Sequence, residues 1–150
     1  MAYADQLAAI LTHAQAAGNA ITPAITDVVV AYPAPRGRCI RIFYGGEVEP
    51  ARMGTPRVLN EEMVGEQIVI VAFWPLNNLS EDQAAGIEVE AYNLKHQIRT
   101  RILGDSQLGG MSTDLELGYA EPGFANLAGI PYRTLEMIAT TDFTSYTLGA

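Results

Sequence analysis

The nine residues from Glu66 to Trp74 constrain the fold of this chain most strongly. They read Glu-Gln-Ile-Val-Ile-Val-Ala-Phe-Trp, and Pro75 ends the run. Apolar residues here fall on both faces of an extended chain, so the pattern predicts a strand in the middle of a sheet or one covered on both sides. The run is far shorter than the roughly 20 apolar residues needed to cross a bilayer, so no membrane contact is expected.

Two amphipathic helices are predicted before and after the first strands. In residues 3–17, apolar side chains recur every three or four positions, which is typical of a helix with one buried face. This helix is expected to end at Gly18–Asn19. The second begins with the capping box Ser80-Glu81-Asp82-Gln83 and is expected to end at Gly104. Its predicted buried stripe consists of Ile87, Ala91, Leu94, Ile98 and Ile102.

Four further segments have the composition or alternation of strands. They are residues 27–32, 39–44, 113–119 and 131–143, and Gly45-Gly46 is expected to end the second of them. The predicted order of elements is therefore α-β-β-β-α-β-β. It indicates a single α+β domain over residues 1–150, in which two helices pack on one face of a mainly antiparallel or mixed sheet.

Three surfaces are predicted to contact partners, namely residues 45–59, 120–130 and 142–150. Residues 45–62 form a loop of a length that is uncommon inside a compact domain; we interpret it as a protruding arm or a long hairpin, in which residues 57–59 pair as a strand. Residues 121–130 are predicted as a glycine-bearing loop, and residues 144–150 as an extended tail. Irregular backbone held by rigid elements often binds partners. The residues predicted to lie at an interface are Glu47, Glu49, Arg52, Arg57, Glu121, Phe124, Phe143 and Tyr146.

The charge of the chain argues against specific nucleic-acid binding. Asp and Glu number 17 against 9 Lys and Arg, which gives a formal net charge of −8. Phosphate recognition needs clustered Lys and Arg instead. An acidic wall repels DNA that slides past it and so prevents sticking. Solubility alone also accounts for this charge.

No catalytic, cofactor-binding or metal-binding site is predicted. The single cysteine, Cys39, opens an apolar run, which favours a buried structural thiol. The two histidines, His13 and His96, lie in no recognisable motif, and Thr100 stands where a second metal ligand would follow His96. Phosphate-loop, G-x-S-x-G and H-E-x-x-H motifs are absent from the sequence. The carboxylate pair Glu61-Glu62 is more simply read as solvated.

The C-terminal half resembles a known family. A helix ends in Ile98–Leu103, the segment Leu108-Gly109-Gly110-Met111-Ser112-Thr113-Asp114-Leu115 follows, and a loop leads to Gly129–Met137. This succession is similar to the tail terminator and tail-completion (head-tail joining) proteins of long-tailed bacteriophages. In that family a helix leads to a short Leu-Gly-Gly turn, then to a strand with an aspartate and to a final strand. The resemblance covers about residues 80–141, and the first half agrees only in the order of its elements.

The resemblance implies an assembly role. Such proteins form a ring, usually of six copies, that caps the tail tube and joins it to the head connector while DNA passes through the lumen. The expected partners are therefore other copies of the chain, the tail tube protein and the connector protein. DNA is expected to pass without specific binding. The expected location is the tail or neck of the virion, after assembly in the host cytoplasm.

Two other classes of function stay open at the level of sequence. One is a small-molecule-binding or regulatory domain, which predicts a concave apolar pocket with converging polar groups. The other is an enzyme that uses Cys39 or a carboxylate pair, which predicts a group with a strongly shifted pKa in a cleft.

Overall fold

The fold is a mixed β-sheet with two helices. A computed structural model describes residues 3–48, 61–105 and 115–147, with the backbone alone at 61–63 and 142–147. The elements are α1 (Tyr3–Ala20), β1 (Val28–Val30), β2 (Cys39–Val48), β3 (Glu61–Pro75), α2 (Glu81–Leu103), β4 (Glu116–Leu117), β5 (Glu121–Leu127) and β6 (Ile130–Thr147). The sheet has the order β1-β2-β3-β6-β4, and β5 also pairs with β6. β1 is parallel to β2, and the other pairs are antiparallel.

The predicted α+β class and the predicted order of elements are confirmed. β3 lies between β2 and β6, the central position that its apolar run predicts. Both helices pack on the same face of the sheet, which we call the helix face. Within the described ranges, no helix is long and apolar enough to span a membrane.

The main hydrophobic core lies between the helices and the helix face. The register places Ile40, Ala72 and Leu135 side by side on three neighbouring strands, and alternation repeats this arrangement along the sheet. The predicted stripe of α2 is buried, with Ala91 partly so. The fully or nearly fully buried members from the sheet and helices are Ile10, Ala14, Ala17, Ile40, Ile42, Ile68, Ile70, Ala72, Trp74, Leu94, Ile98, Ile102, Met137 and Ala139.

The ends of the helices are fixed by local contacts. The Ser80 hydroxyl accepts from the Gln83 amide, and the Gln83 side chain accepts from the Ser80 amide, so the predicted capping box is confirmed. α1 continues to Ala20, past the predicted cap at Gly18. Gly18 instead lets another segment approach, because a Cβ there would lie 2.4 Å from the Ile25 carbonyl oxygen.

The prediction of a loop at 121–130 is wrong. Residues Glu121–Leu127 form β5, which pairs along β6 as a hairpin. The turn consists of Ala128 and Gly129, with φ values of 51° and 79°. Both residues have the left-handed backbone conformation, as in the two-residue hairpin turns whose twist matches that of the flanking strands.

The predicted boundaries around the long loop also need correction. Gly45-Gly46 does not end β2, which continues to Val48, and β3 already begins at Glu61. Gly46–Val48 pair with Gly65–Gln67 of β3, whereas Glu61 and Glu62 pair with β6. The choice between a protruding arm and a long hairpin concerns residues 49–60, which lie outside the described residues. The predicted tail is strand as far as Thr147, within β6. The predicted pairing at 57–59 and the Leu108-Gly109-Gly110 segment lie outside the described residues.

Candidate interaction surfaces

Three strands extend the sheet into an arm. We define the arm by the paired segments Gly46–Val48 of β2, Glu61–Gly65 of β3 and Phe143–Thr147 of β6. At about 3.3 Å per residue, the five β3 residues span roughly 15 Å. The register shifts at the base of the arm, between Tyr44 and Gly46 in β2 and again beside Gly65–Gln67 in β3. Such bulges increase the local twist and bend the strands, so they set the direction of the arm.

Polar contacts hold the base of the arm against α1. The Tyr44 hydroxyl donates to Glu66 Oε2 at 2.8 Å, and Glu66 is only 9% exposed. The Thr141 hydroxyl donates to the Glu66 carbonyl oxygen at 3.1 Å. The Tyr3 hydroxyl, at the start of α1, donates to the Gln67 carbonyl oxygen, and its ring meets that of Tyr44 edge-on at 5.5 Å. These contacts fix the arm relative to the body.

Burial perturbs the tyrosine at this base. Desolvation, and to a smaller extent the nearby Glu66 carboxylate, raise the pKa of Tyr3 to about 12. Its hydroxyl therefore stays protonated at physiological pH and keeps its role as a donor to the Gln67 carbonyl oxygen. The shift follows from structural burial, and Tyr3 lines neither of the two cavities described below.

The second face of the sheet, opposite the helix face, carries a smaller apolar cluster. We call it the open face, because α1 and α2 both lie on the other side. Its buried members are Cys39, Val71, Phe73 and Tyr132, with Phe43, Leu127 and Ile130 packed against them. The loop after β1 reaches this face, where the Tyr132 hydroxyl donates to the Pro35 carbonyl oxygen at 3.2 Å.

An ion pair between a buried arginine and an exposed aspartate also lies on the open face. Both Arg41 guanidinium nitrogens Nη1 and Nη2 donate to the Asp27 carboxylate at 2.9 Å. The Arg41 side chain is 10% exposed and that of Asp27 is 45% exposed. The hydrogen bonds from Arg41 lower the pKa of Asp27, and the same bonds raise the pKa of Arg41. The pair fixes the start of β1 against β2.

Cys39 lacks the properties of a nucleophile. Its side chain is fully buried, as its apolar run predicts. Burial is the largest influence on the thiol and raises its pKa, although the nearby Arg41 charge acts in the opposite direction. Since the thiolate is the reactive form, a buried thiol with a raised pKa is a poor nucleophile.

A wide depression lies at one end of the open face. Its volume is about 750 Å³, and its walls come from residues 33–37, Pro75 and the β5–β6 turn. The polar side chains that line it, Arg36 and Asn77, are exposed, and the Tyr132 hydroxyl is already bonded to Pro35. The depression therefore presents a mostly apolar wall.

A narrower groove runs between α2 and the β5 edge of the sheet. We call it the α2–β5 groove; it has a volume of about 250 Å³ and is lined by Glu88, Ala91, Tyr92, Lys95, Ala120, Pro122, Arg133 and Leu135. Exposed aromatic rings stand beside it, with Tyr92 63% and Phe124 74% exposed. Exposed aromatic side chains around an apolar groove are typical of protein-binding sites.

Cations lie on the faces of both rings. The Arg133 guanidinium lies 4.4 Å from the centroid of Phe124 and makes a two-pronged ion pair with Glu88, both contacts at 2.9 Å. The Lys95 ammonium lies 4.2 Å from the centroid of Tyr92. Cation–π contacts of this kind hold the rings in defined positions. The groove wall is thus pre-organised.

The structure divides the predicted interface residues between two surfaces. Glu47 is exposed on the arm, where the backbones of Phe143 and Tyr146 pair with β3 opposite Gly65 and Glu62. Glu121 and Phe124 are exposed on β5, at the other edge of the sheet. Glu49, Arg52 and Arg57 lie outside the described residues.

Sequence reasoning missed the groove residues Tyr92, Lys95 and Arg133. Tyr92 and Lys95 are three positions apart and both lie off the buried stripe of α2, which is a signal for a second contact surface on the helix. Arg133 gives no such signal, because only the β5–β6 register brings it opposite Phe124.

Metal and family comparisons add no further assignment. Within residues 3–48, 61–105 and 115–147, no group of three or more His, Cys, Asp and Glu side chains is arranged to hold a metal ion. Searches against protein-family models and against curated proteins give no match for the chain.

Proposed function

We propose that this chain is a structural protein of a long-tailed phage virion, forming a ring that caps the tail tube and joins it to the head connector. The observation that carries the proposal is the arm. Three strands leave the body of the domain together, with their base fixed by Tyr44, Glu66 and Tyr3. A three-stranded extension of the sheet with a fixed base suits contact with a neighbouring subunit.

The distribution of surfaces supports a ring over a symmetric pair. A closed ring is built from heterologous contacts, in which one surface of a subunit meets a different surface of the next. The chain has two such unlike surfaces. The outer edge of β2 in the arm and the edge of β5 lie on opposite sides of the sheet, as a head-to-tail arrangement requires.

The net charge of −8 suits a ring through which DNA moves. An acidic lumen repels the phosphate backbone, so the DNA is neither bound nor slowed. The partners in this proposal are other copies of the chain, the tail tube protein and the connector protein.

A small-molecule-binding or regulatory domain is the alternative, favoured by the depression on the open face. Its volume of about 750 Å³ is sufficient for a ligand. The exposure of its polar residues Arg36 and Asn77 counts against it, because ligand sites orient their ligands through converging polar groups. A ligand that raises the melting temperature at stoichiometric amounts would favour this alternative.

The proposal is tested by imaging the purified chain mixed with polymerised tail tube protein in negative stain. Rings with an open centre, or rings seated on tube ends, are the expected result. A matched variant lacking residues 48–57 should keep its folded circular dichroism spectrum but lose ring formation. If the deletion unfolds the domain, the segment is part of the core and its interpretation as an arm is wrong. Unmodified chain that leaves tube ends bare would contradict the proposal.

A further inference from the structure

β5 presents a free edge to solvent. It pairs with β6 on one side, and none of the described strands pairs with the other. In a two-residue hairpin the residues next to the turn, here Leu127 and Ile130, exchange hydrogen bonds, and the pattern then alternates. The backbone groups of Ala125 and Gly123 therefore point to β6, and those of Asn126 and Phe124 point outward. Pro122 has no amide hydrogen and cannot donate to an added strand, so backbone pairing along this edge weakens at Pro122.

The edge has few of the features that prevent pairing with other chains. Proteins protect exposed edges with lysine, with bulges or with a covering element. β5 contains no lysine and pairs with β6 in an unbroken register from Glu121 to Leu127. Phe124 is 74% exposed on this edge, beside the α2–β5 groove. An added strand would thus gain backbone hydrogen bonds from the edge and apolar contact from the groove.

The arm offers a strand that complements this edge. β1 pairs only with residues 40–42 of β2, so no described strand pairs with the outer edge of β2 from Phe43 to Val48. Glu47 is exposed on that stretch. In the groove, Lys95 lies over the Tyr92 ring and has no acidic partner among the described residues. The exposed acidic side chain of the arm therefore matches a groove cation that has no acidic partner among the described residues.

We propose that the subunit contact, which rests on the ring-forming function above, is strand addition between copies. The outer edge of β2 in the arm of one copy pairs with the β5 edge of the next. Glu47 then lies toward Lys95, and Phe124 is covered. Because donor and acceptor lie on opposite edges of one sheet, each copy gives its arm on one side and receives an arm on the other, which is the head-to-tail contact that a ring requires.

Cysteine cross-linking tests this contact directly. Glu47→Cys with Pro122→Cys places one thiol on each of the two edges, both at exposed positions, and position 122 lines the groove together with Lys95. The native Cys39 is fully buried and does not compete. With a short bis-maleimide we expect a ladder of covalent oligomers. A matched control pairs Glu47→Cys with Asn19→Cys, exposed at the end of α1, and should give none.

The outcomes separate this contact from the function on which it rests. Rings in the microscope without cross-linking between positions 47 and 122 would overturn the contact and leave the ring. Neither rings nor cross-links would overturn both. Cross-linking of the single Pro122→Cys variant to itself would show that β5 pairs symmetrically with β5, and this also overturns the proposal.

A charge exchange gives an independent readout of the same contact. Glu47→Lys and Lys95→Glu should each weaken self-association by roughly 2- to 5-fold per contact, as expected for a solvent-exposed ion pair. The double exchange should restore association toward the native value. Additive loss in the double variant would show that the two side chains do not meet, and would overturn the proposed register.

Discussion

The ion pair between Arg41 and Asp27 provides the sharpest test of the described fold. Asp27→Asn removes the charge while keeping the size of the side chain. The Arg41 side chain, 10% exposed, then loses a two-pronged charged acceptor. It keeps only neutral acceptors, which are the new amide oxygen and the backbone carbonyl oxygens of residues 27 and 40. A hydrogen bond to a charged group contributes about 1.5–3 kcal/mol, and the 45% exposure of Asp27 reduces this through solvent screening. We expect a loss of about 1–2 kcal/mol at pH 7.

The assay is thermal unfolding followed by circular dichroism at several pH values. A loss of this size lowers the melting temperature by roughly 2–8 °C for a domain of this length. The sign of the pH dependence follows from the lowered pKa of Asp27 in the fold. Its contribution is present above the unfolded pKa of about 3.9 and is lost as the pH falls through the lower folded value. The gap between the native chain and Asp27→Asn should therefore close below about pH 4.

The matched control is Glu116→Gln, which removes one negative charge from an exposed position on β4. It should stay within about 0.5 kcal/mol of the native chain, as surface changes usually do. An Asp27→Asn variant with native stability at pH 7 would refute the reasoning. So would a destabilisation that stays constant between pH 7 and pH 3.

Three further predictions concern the core, a helix cap and the thiol. Leu94→Ala removes a fully buried side chain between α2 and the sheet and should lower the free energy of unfolding in urea by about 2–5 kcal/mol. The control Val89→Ala, at a position 60% exposed on the same helix, should cost a small fraction of that. Equal costs would contradict the described packing of α2. Ser80→Ala breaks the capping box and should lower stability by about 1 kcal/mol, with an unchanged melting temperature as the contrary result. Cys39 should react with a thiol reagent only as fast as the domain opens, because its side chain is buried and its pKa is raised. Labelling in native buffer at the rate of an exposed thiol would contradict the burial of Cys39.

Local sequence patterns predict those elements in which several signals favour the same secondary structure. The run that forms β3 is apolar on both faces, and α2 combines a capping box, a buried stripe and a glycine at its end. β5 was missed because Pro122 and Gly123 are typical of loops, and because its turn is Ala128-Gly129 instead of the common Asn-Gly. An edge position tolerates Pro122, since the missing amide would point to solvent.

The candidate contact surfaces depend on pairings that no local pattern contains. Gly45-Gly46 reads as the end of a strand, yet β2 passes through it as a bulge and continues into the arm. The α2–β5 groove unites Tyr92 and Lys95 of a helix with Arg133 of a strand. These residues are far apart in the sequence, so the groove cannot be predicted without the register of β6.

The native mass of the full chain tests the central claim most directly. Measured by native mass spectrometry over a range of concentrations, with and without tail tube polymer, the chain should form a closed oligomer whose mass is a fixed multiple of 16.2 kDa. Such an oligomer alone supports a self-assembling ring, and one that forms only on tube ends supports a ring templated by the tube. A 16.2 kDa monomer at every concentration, with tube ends left uncapped, would contradict the account.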